Sequence, residues 1–565
     1  MSTSHGPVVV FNGEIYNYQE LKTRFTDYKF QSDSDTEVLL AAYERFGDGF
    51  LDQLNGMFAL AIWDPELRTL FLARDRVGKK PLYYTTQGGL FAFSSEIKAL
   101  LALPWVSAAL DEKALYSFLT FNFVPAPATM FQGIQKLPPG CKMRVSTSGD
   151  IRIDEFWEVE IESELGTQDD IENRLTDEID RAVGYRMVSD VPVGAFLSGG
   201  VDSTATVAFM QRHVSYKIKT FSIGFEGEAA YDETLNARQA AKLLDTDHYE
   251  AQVTKQNLVD FLPRIVDIFD EPLADPTCIP IYFLSAMARD NGIKVVVNGD
   301  GPDELLLGYR SWARYARLFP YYRAFCRTPR FFRNGIANAA LRANDLSSVT
   351  ELLYRAAKDQ ELFWGGASSF KESTKRKFLT EGFLERVGDV NCHQEFVALR
   401  QRFDAVFPRR LKSDVNWMCY VGLRFLIPNF YTYRADRLTM AHSIEARSPF
   451  LDFNFVNYAF SLDARWKYQQ GIPKFILKKS LEKSLPREVL HRKKQGFCVP
   501  LKEWASDILV DEIEANLDSF CNETGIFLAE AVRAHLNELR QGKTDFVNRL
   551  WTIYFLLMWY RRWMA

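Results

Sequence analysis

The sequence lacks several features that would assign it to a specialised class of protein. Its seven cysteines show no paired spacing, so neither a disulfide framework nor a zinc site is expected. No signal-peptide layout of a charged and then an apolar stretch follows Met1. The longest late apolar run, residues 550–560, is too short to span a bilayer, and a buried terminal helix explains it better. We therefore expect a cytoplasmic protein with no membrane partner.

The chain also has no excess of positive charge. Its formal net charge is −5, which provides no electrostatic argument for a nucleic-acid partner. The short basic run 492–494 is interpreted as a solvated or phosphate-facing loop. With 47% hydrophobic and 25% charged residues the composition is that of a folded protein, and 565 residues are too many for a single core. Two or three domains are expected.

The hydrophobic periodicity changes along the chain. Residues 7 to about 125 predict an antiparallel, β-rich domain with some helix: a strand at 8–11, a helix at 18–25, and a hairpin of 57–63 and 69–74. The segment 126–164 contains several prolines and Gly140, which predicts a connector between domains and not a helix or strand.

From about residue 165 strands alternate with helices, which predicts a parallel α/β sheet. The predicted strands are 193–197, 218–225 and 294–297, and the predicted helices between them include 169–188 and 233–244. Beyond about 310 the pattern is mainly helical. Ligands of such sheets gather at the carboxyl ends of the strands, so the segments after 197, 224 and 297 are expected to converge.

The first of these segments is the hexapeptide SGGVDS at 198–203, between an apolar run and a helix-like stretch. Glycines let the backbone approach phosphate oxygens, Ser198 and Ser203 add hydroxyl donors, and a helix start presents free N–H groups to an anion. Asp202 is placed to hold Mg²⁺ against the same phosphates. The loop is not a GxxxxGK[ST] motif. An ordinary Gly/Ser turn is the alternative.

The segment NGDGPDE at 298–304 places three carboxylates directly after a predicted strand. Such a cluster is costly unless it meets a metal, a cation or a mobile proton. Asp303 together with Asp202 could bridge Mg²⁺ on ATP phosphates, whereas Asp300 is better suited to managing an amine proton. The alternative is an acidic, solvated loop that caps the following helix.

Long motifs occur along almost the whole chain: FNGEIYN (11–17), SDTE (34–37), DRVGKKPLY (75–83), FSSEIK (93–98), VPVGAFLSGGVDS (191–203), DRLTMAHSIEARSPFLD (436–452) and QGFCVP (495–500). In these motifs and in their order the chain resembles the glutamine-hydrolysing asparagine synthetase family.

The resemblance implies a fold and a division into domains. It implies an α+β, Ntn-hydrolase-type glutamine amidotransferase domain, incomplete here, at 1–125. After the connector 126–164 it implies an α/β ATP-pyrophosphatase (adenine nucleotide alpha hydrolase-like) domain with a helical C-terminal region at 165–565.

The resemblance also implies a two-step reaction. Aspartate attacks the α-phosphate of ATP, pyrophosphate leaves, and ammonia converts the β-aspartyl-adenylate into asparagine and AMP. The implied catalytic residues are Asp300 and Lys474, where Lys474 stabilises charge on the α-phosphate. The implied ATP and pyrophosphate ligands are Leu197, Ser198, Gly199, Gly200, Asp202, Ser203, Ile223, Asn298 and Gly299. Mg²⁺ would be held by Asp202 and Asp303.

The implied partners are small molecules: ATP, aspartate or another carboxylate, and glutamine or ammonia. A homodimer is a candidate assembly. Without the resemblance, Lys474 would be interpreted as an exposed helix residue.

Glutamine hydrolysis in this family uses an N-terminal cysteine whose α-amino group acts as the base. Here the first cysteine is Cys141, so the glutamine-binding positions Asn12, Gly13, Glu14 and Asp35 are interpreted as vestigial. Either the start codon is assigned too late, which we favour because missing core strands would expose apolar surface, or the chain is a truncated, ammonia-dependent form. We expect negligible glutaminase activity.

Three departures from the family's usual residues leave the identity of the acyl substrate undecided. Asn298 stands where the family commonly has Ser, Pro302 is unusual, and Leu307 replaces a glycine. The alternatives are amidation of another carboxylate, such as a sugar acid of surface polysaccharide, and ring closure as in β-lactam synthetase. A non-enzymatic nucleotide sensor or scaffold would require the carboxylates or Lys474 to be lost, and they are present.

Overall fold

The computed structural model describes residues 1–2, 6–162, 166–343, 347–366, 369–492, 499–504, 506–543 and 546–564. Lys493, Lys494 and the QGFC part of the last motif (495–498) lie outside this set. The described strands are β1 Val8–Ile15, β2 Gly56–Asp64, β3 Thr69–Arg74, β4 Tyr83–Thr85, β5 Ala92–Ser94, β6 Ile134–Lys136, β7 Cys141–Ser146, β8 Ile151–Glu155, β9 Val193–Phe196, β10 Lys219–Phe225, β11 Asp247–Val253, β12 Val295–Val297, β13 Glu445–Arg447, β14 Tyr468–Gln469 and β15 Ile472–Pro473.

The described α-helices that precede β12 are α1 Tyr18–Arg24, α2 Asp35–Phe46, α3 Phe50–Gln53, α4 Ile97–Leu101, α5 Glu112–Phe121, α6 Gln168–Met187, α7 Val201–Met210, α8 Thr234–Leu243, α9 Lys255–Ile268 and α10 Cys278–Asp290. Those that follow are α11 Pro302–Leu305, α12 Arg310–Cys326, α13 Arg330–Arg342, α14 Ser348–Ala357, α15 Glu372–Lys375, α16 Glu381–Val387, α17 Gln394–Val406, α18 Asp414–Val421, α19 Thr432–Met440, α20 Phe453–Ser461, α21 Ala464–Lys467, α22 Phe475–Ser480, α23 Arg487–Leu490, α24 Leu501–Trp504, α25 Ser506–Thr524, α26 Ala529–Arg540 and α27 Val547–Trp563.

The N-terminal part contains an antiparallel sheet with the strand order β1-β2-β3-β7-β8. The predicted first strand and the predicted hairpin are confirmed as β1 and as β2–β3. The face of the sheet that meets α2 buries an apolar cluster that includes Val9, Leu40 and Phe58. The opposite face of β2, β3 and β7 buries a second apolar cluster that includes Ala61, Leu72 and Met143, so the centre of this sheet is covered on both faces.

The prediction of an element-free connector at 126–164 is wrong. This segment carries β6, β7 and β8, and β7 pairs with β3 while β6 pairs with β4. Of the residues that suggested a domain crossing, Pro127 precedes β6, whereas Pro138, Pro139 and Gly140 lie between β6 and β7. Gly140 has φ +66, where a side chain is strained, and it turns the chain into β7. These residues therefore mark the connection between two sheets of the N-terminal part.

The predicted parallel sheet is confirmed, with the order β11-β10-β9-β12-β13 and parallel pairing throughout. The chain order reverses on the two sides of β9, so β9 and β12 flank a topological switch point. The carboxyl ends of β9, β10 and β12 therefore lie side by side, as the sequence predicts. Among the described residues, no helix has the length and apolarity needed to cross a bilayer; α27 is largely buried instead.

The two parts meet through buried polar contacts, of which one is a hydrogen bond to a buried carboxylate and one an ion pair. Asp452, which has no exposed surface, binds Arg186 and accepts a hydrogen bond of 2.9 Å from the Asn55 amide. Lys80 of the N-terminal part binds Asp436 at 2.8 Å. Buried charges are stable only when paired in this way. The motif at 436–452 therefore joins the two parts of the molecule.

Candidate active site

A cavity of about 480 Å³ opens at the carboxyl ends of β9, β10 and β12. Every residue predicted to bind ATP, pyrophosphate or metal, or to act in catalysis, lines it: Leu197, Ser198, Gly199, Gly200, Asp202, Ser203, Ile223, Asn298, Gly299, Asp300, Asp303 and Lys474. These positions span almost 280 residues of sequence, so the structure brings together four separate segments, 197–203, 223, 298–303 and 474.

The loop 198–200 joins β9 to α7 and is built for close approach of an anion. Gly199 has φ +73, and a Cβ there would lie 2.3 Å from the Asn236 carbonyl oxygen, so only glycine fits. The Ser198 and Ser203 hydroxyls are 3.0 Å apart, and the Ser203 hydroxyl accepts a hydrogen bond from the Ser198 N–H. Because α7 begins at Val201, its N-terminal N–H groups face the cavity beside these hydroxyls.

Lys474 is the central cation of the cavity. Its side chain is almost fully buried, and its Nζ lies 2.5 Å from Asp202 Oδ2 and 2.7 Å from Asp303 Oδ1. Burial by itself would lower the pKa of the Lys474 ammonium, but the two carboxylates outweigh it and raise that pKa. The group therefore stays protonated. Lys474 is not an exposed helix residue: it has φ +53 and directly precedes α22.

Gly308 makes this ion cluster possible. A Cβ at Gly308 would lie 1.9 Å from Asp303 Oδ1 and 2.2 Å from Lys474 Cε, so any side chain would displace both groups. The preceding Leu307 has φ +55, a conformation that is unfavourable for a residue with a branched side chain. A fully buried leucine therefore occupies a left-handed backbone conformation that glycine would adopt more readily.

Asp300 and Arg434 form a second charged group in the cavity. Burial raises the pKa of the Asp300 carboxyl, and Arg434 is the largest opposing influence. The Asn298 amide donates a hydrogen bond of 2.8 Å to Asp300 Oδ2. Arg434 is itself held by Asp275 Oδ2 and Thr277 Oγ1, each at 2.5 Å. A raised pKa lets Asp300 take up a proton at higher pH than an ordinary aspartate.

Several residues of the cavity have no signal in the sequence that identifies them. Arg434 arrives from α19, and Tyr431 joins a hydrogen-bonded chain with Tyr309 and with Glu304 of the acidic segment. The Tyr309 hydroxyl donates to the Glu304 carboxylate and lies 3.0 Å from the Tyr431 hydroxyl. A π-helical stretch, Gly422–Tyr431, carries Tyr431 to the cavity. Arg492, at the start of the predicted phosphate-facing loop, donates to the Gly199 carbonyl oxygen at 3.0 Å. Only the basic character of 492–494 could have indicated it.

The predicted glutamine-binding residues lie apart from this cavity, in the N-terminal part. Asn12 donates to Ser95 Oγ at 3.1 Å, and Asp35 accepts from the Ile15 N–H at 3.0 Å. Gly13 lies tightly against β2, where a Cβ would be 2.0 Å from the Met57 carbonyl oxygen. Burial raises the pKa of Glu14 to about 7, even though Arg447 Nη2 is 3.4 Å from its carboxylate.

The fold and the cavity together define an ATP-pyrophosphatase-type domain joined to an Ntn-type glutamine amidotransferase domain. Comparison with family models agrees: the "Asparagine synthase" model matches residues 174–561, and the "Glutamine amidotransferase domain" model matches residues 1–157. The chain belongs to the asparagine synthase family and is an enzyme of that type.

Relatives of the whole chain support the same conclusion. "Asparagine synthetase [glutamine-hydrolyzing] 1" of Bacillus subtilis is 32% identical over 98% of this chain and 85% of the relative. "Putative asparagine synthetase [glutamine-hydrolyzing]" of Mycobacterium tuberculosis is 33% identical over 98% of this chain and 84% of the relative. More distantly, "Amidase chry2" of Gibberella zeae is 25% identical over 88% of this chain and 77% of the relative.

Proposed function

We propose that this enzyme forms asparagine from aspartate, ATP and ammonia through a β-aspartyl-adenylate. The observation that carries the proposal is the buried Lys474 ammonium, held by Asp202 of the anion-binding loop and by Asp303. A fixed cation beside a phosphate cradle stabilises negative charge that develops during phosphoryl or adenylyl transfer, and it needs no reorganisation to do so.

In the first step, a carboxylate oxygen of aspartate bonds to the α-phosphorus of ATP, and the bond from that phosphorus to the bridging oxygen of the β-phosphate breaks. The loop of Ser198, Gly199, Gly200 and Ser203 would bind the departing pyrophosphate through hydroxyl and N–H donors. Lys474 would offset the charge that builds on the α-phosphate. Leu197, Ile223 and Gly299 would border the adenosine.

In the second step, the nitrogen of ammonia bonds to the activated acyl carbon and AMP leaves. The attacking nitrogen must lose a proton for the amide to form, and Asp300 is a half-buried carboxylate in the cavity. Its raised pKa makes it a better acceptor for that proton than an ordinary aspartate. Asn298 would keep the carboxylate oriented through the amide hydrogen bond.

Asp202 and Asp303 also fit a Mg²⁺ ion that accompanies ATP. Within the described part of the chain, no group of three or more His, Cys, Asp or Glu side chains is arranged to hold a metal. Mg²⁺ in nucleotide enzymes is nevertheless commonly held by one or two carboxylates together with substrate phosphates, and this pair faces the phosphate loop. When bound, the ion would neutralise charge on the pyrophosphate.

Isotope exchange between ATP and pyrophosphate tests the proposal, because it reports adenylate formation without the second step. We expect exchange that depends on aspartate, and none with glutamate or a uronic acid. Lys474→Ala should lower it by about 100- to 1,000-fold, whereas Lys479→Ala, the exposed neighbour paired with Glu482, should not change it. Exchange with a different carboxylate and not with aspartate would disprove the choice of substrate.

One observation favours a second acyl substrate. Leu307 does not line the cavity, but it takes a left-handed turn directly before Gly308, which does, so the backbone behind this wall differs from that of a glycine pair. Some relatives carry other names, such as the amidase above. Another carboxylate, for example a sugar acid of surface polysaccharide or a substrate that cyclises, would then replace aspartate. The carboxylate panel in the exchange experiment distinguishes these alternatives.

A further inference from the structure

Residues 310–342 differ in charge from the rest of the chain. They contain eight arginines and no Asp, Glu or Lys, although the whole chain has a net charge of −5. They form α12 and α13, which we call the basic hairpin. A local positive charge of this size in an acidic protein indicates a surface for an anionic partner.

Most of this charge is on the surface. Seven of the eight arginines are exposed, and only Arg333 is buried. Five of the exposed ones make no ion pair with a described residue: Arg310, Arg314, Arg317, Arg327 and Arg342. Of these five, Arg317 donates hydrogen bonds to the Tyr468 hydroxyl. Arg310, Arg314, Arg317 and Tyr321 recur at helical spacing, so they share one exposed face of α12.

Large apolar side chains are exposed around the same arginines. Tyr321 is 75% exposed, Phe331 79% and Phe332 51%, and the last two begin α13 directly beside Arg330. Leu318 on α12 is 40% exposed and Val349 at the start of α14 is 62% exposed. Aromatic and aliphatic groups among unpaired arginines are typical of a helix that lies in a membrane interface.

We propose that the basic hairpin binds the surface of an anionic lipid bilayer. Arginine forks would pair with headgroup phosphates, and Phe331, Phe332 and Tyr321 would enter the boundary between headgroups and acyl chains. Nucleic acid is disfavoured because Leu318 and Val349 offer aliphatic surface that does not stack on bases. This binding is peripheral and is compatible with the absence of a spanning helix among the described residues.

The position of the hairpin gives the binding a consequence for the enzyme. α12 begins at Arg310, next to Tyr309 of the catalytic cavity, and its 17 residues extend about 26 Å from there. The bilayer would thus be contacted by the helix that starts at the cavity. An acyl substrate carried on a membrane lipid would be within reach of such an enzyme.

Vesicle co-sedimentation tests the proposal with the full-length protein. We expect binding to vesicles of phosphatidylcholine with 30% phosphatidylglycerol, loss of binding at high salt, and little binding to pure phosphatidylcholine. The double variant Phe331→Ser/Phe332→Ser should bind at least tenfold more weakly. Each of Arg314→Gln and Arg327→Gln should weaken binding by about fivefold.

The matched control is Tyr216→Ser/Arg264→Gln, because both residues are exposed and lie outside the hairpin. It should bind vesicles like the unmodified protein. All variants should unfold like the unmodified protein and should catalyse ATP–pyrophosphate exchange at the same rate as that protein. The exchange measurement therefore tests the proposed function independently of vesicle binding. Equal binding to neutral vesicles, or binding that the hairpin variants do not change, would overturn the proposal. So would arginine-dependent binding to a DNA or RNA oligonucleotide without vesicle binding.

Discussion

At the scale of single residues, the active site depends on two neighbouring positions, one with an unusual backbone conformation and one without a side chain. Leu307 occupies a left-handed conformation, and Gly308 leaves space for the contact between Lys474 and Asp303. Both lie directly after the acidic loop, so the chain can turn back along the cavity. The cost of the strained leucine is of the order of 1 kcal/mol or more, and its burial offsets that cost.

The substitution Gly308→Ala tests this arrangement. The new Cβ would lie 1.9 Å from Asp303 Oδ1, so the Lys474 pair must move. We expect a loss of about 1 to 3 kcal/mol in unfolding free energy and a fall of about 100-fold in ATP–pyrophosphate exchange. In contrast, Gly335→Ala in the middle of α13 meets no atom within 4 Å and should stabilise slightly. An active Gly308→Ala enzyme would show that the ion cluster is not required.

Local sequence patterns explain which site residues could be predicted. The loop 198–203 and the acidic loop 298–304 each combine a strand end with characteristic residue types in one short segment, so both are recognisable. Arg434 could not be found in this way, because its role depends on Asp275 and Thr277, which lie about 160 residues earlier in the chain. For Lys474 the family resemblance was needed, since one lysine before a short helix carries no signal.

At the scale of elements, a single carboxylate organises the turn 75–81 of the N-terminal part. The Asp75 carboxylate accepts hydrogen bonds from the N–H groups of Phe58 at 3.2 Å, Val77 at 3.2 Å, Lys79 at 2.9 Å and Lys80 at 2.9 Å. This carboxylate thus fixes a turn that the sequence shows only as a charged motif. It also aims Lys80 at Asp436 across the boundary.

Asp75→Ala removes the acceptor for four buried donors at once. We expect a loss of about 3 to 5 kcal/mol in unfolding free energy, measured by urea denaturation, because those N–H groups would remain desolvated. Asp27→Ala is the control: its carboxylate pairs with Arg45 on the surface and should contribute less than about 0.5 kcal/mol. A loss below 1 kcal/mol for Asp75→Ala would mean that the turn is held by other contacts.

The same scale explains the wrong prediction for 126–164. β6 has three residues and β7 has six, and both pair with strands that lie more than 45 residues earlier. Short strands separated by Pro and Gly do not show enough alternation to be recognised, whereas β2 and β3 flank an adjacent turn and do. A short window of sequence therefore cannot show that two strands far apart in the chain pair with each other.

At the scale of the whole molecule, Asp452 is a buried charge at the boundary of the two parts, where it accepts a hydrogen bond from Asn55 of the N-terminal part. It is fully buried between Arg186 and Asn55, with Arg181 3.5 Å away. Asp452→Asn would leave Arg186 without its counter-charge in the interior, and we expect a loss of about 3 to 5 kcal/mol in unfolding free energy. Asp33→Asn, a fully exposed carboxylate, should have no measurable effect.

The contribution of Asp452 should also depend on pH in a defined direction. Burial alone would raise the pKa of Asp452, but Arg186, Arg181 and the hydrogen bonds from Arg186 and Asn55 outweigh it and lower the pKa to about 2. A carboxyl whose pKa is lower in the folded state stabilises that state above its ordinary pKa near 3.8, and this contribution disappears as the pH falls through about 2.

The difference in unfolding free energy between the unmodified protein and Asp452→Asn should therefore be constant from pH 7 to about 5. It should shrink by about 2 kcal/mol towards pH 2. Urea midpoints of both proteins across this range measure it, and a difference that grows on acidification would mean that the Asp452 carboxyl is not stabilised by Arg186.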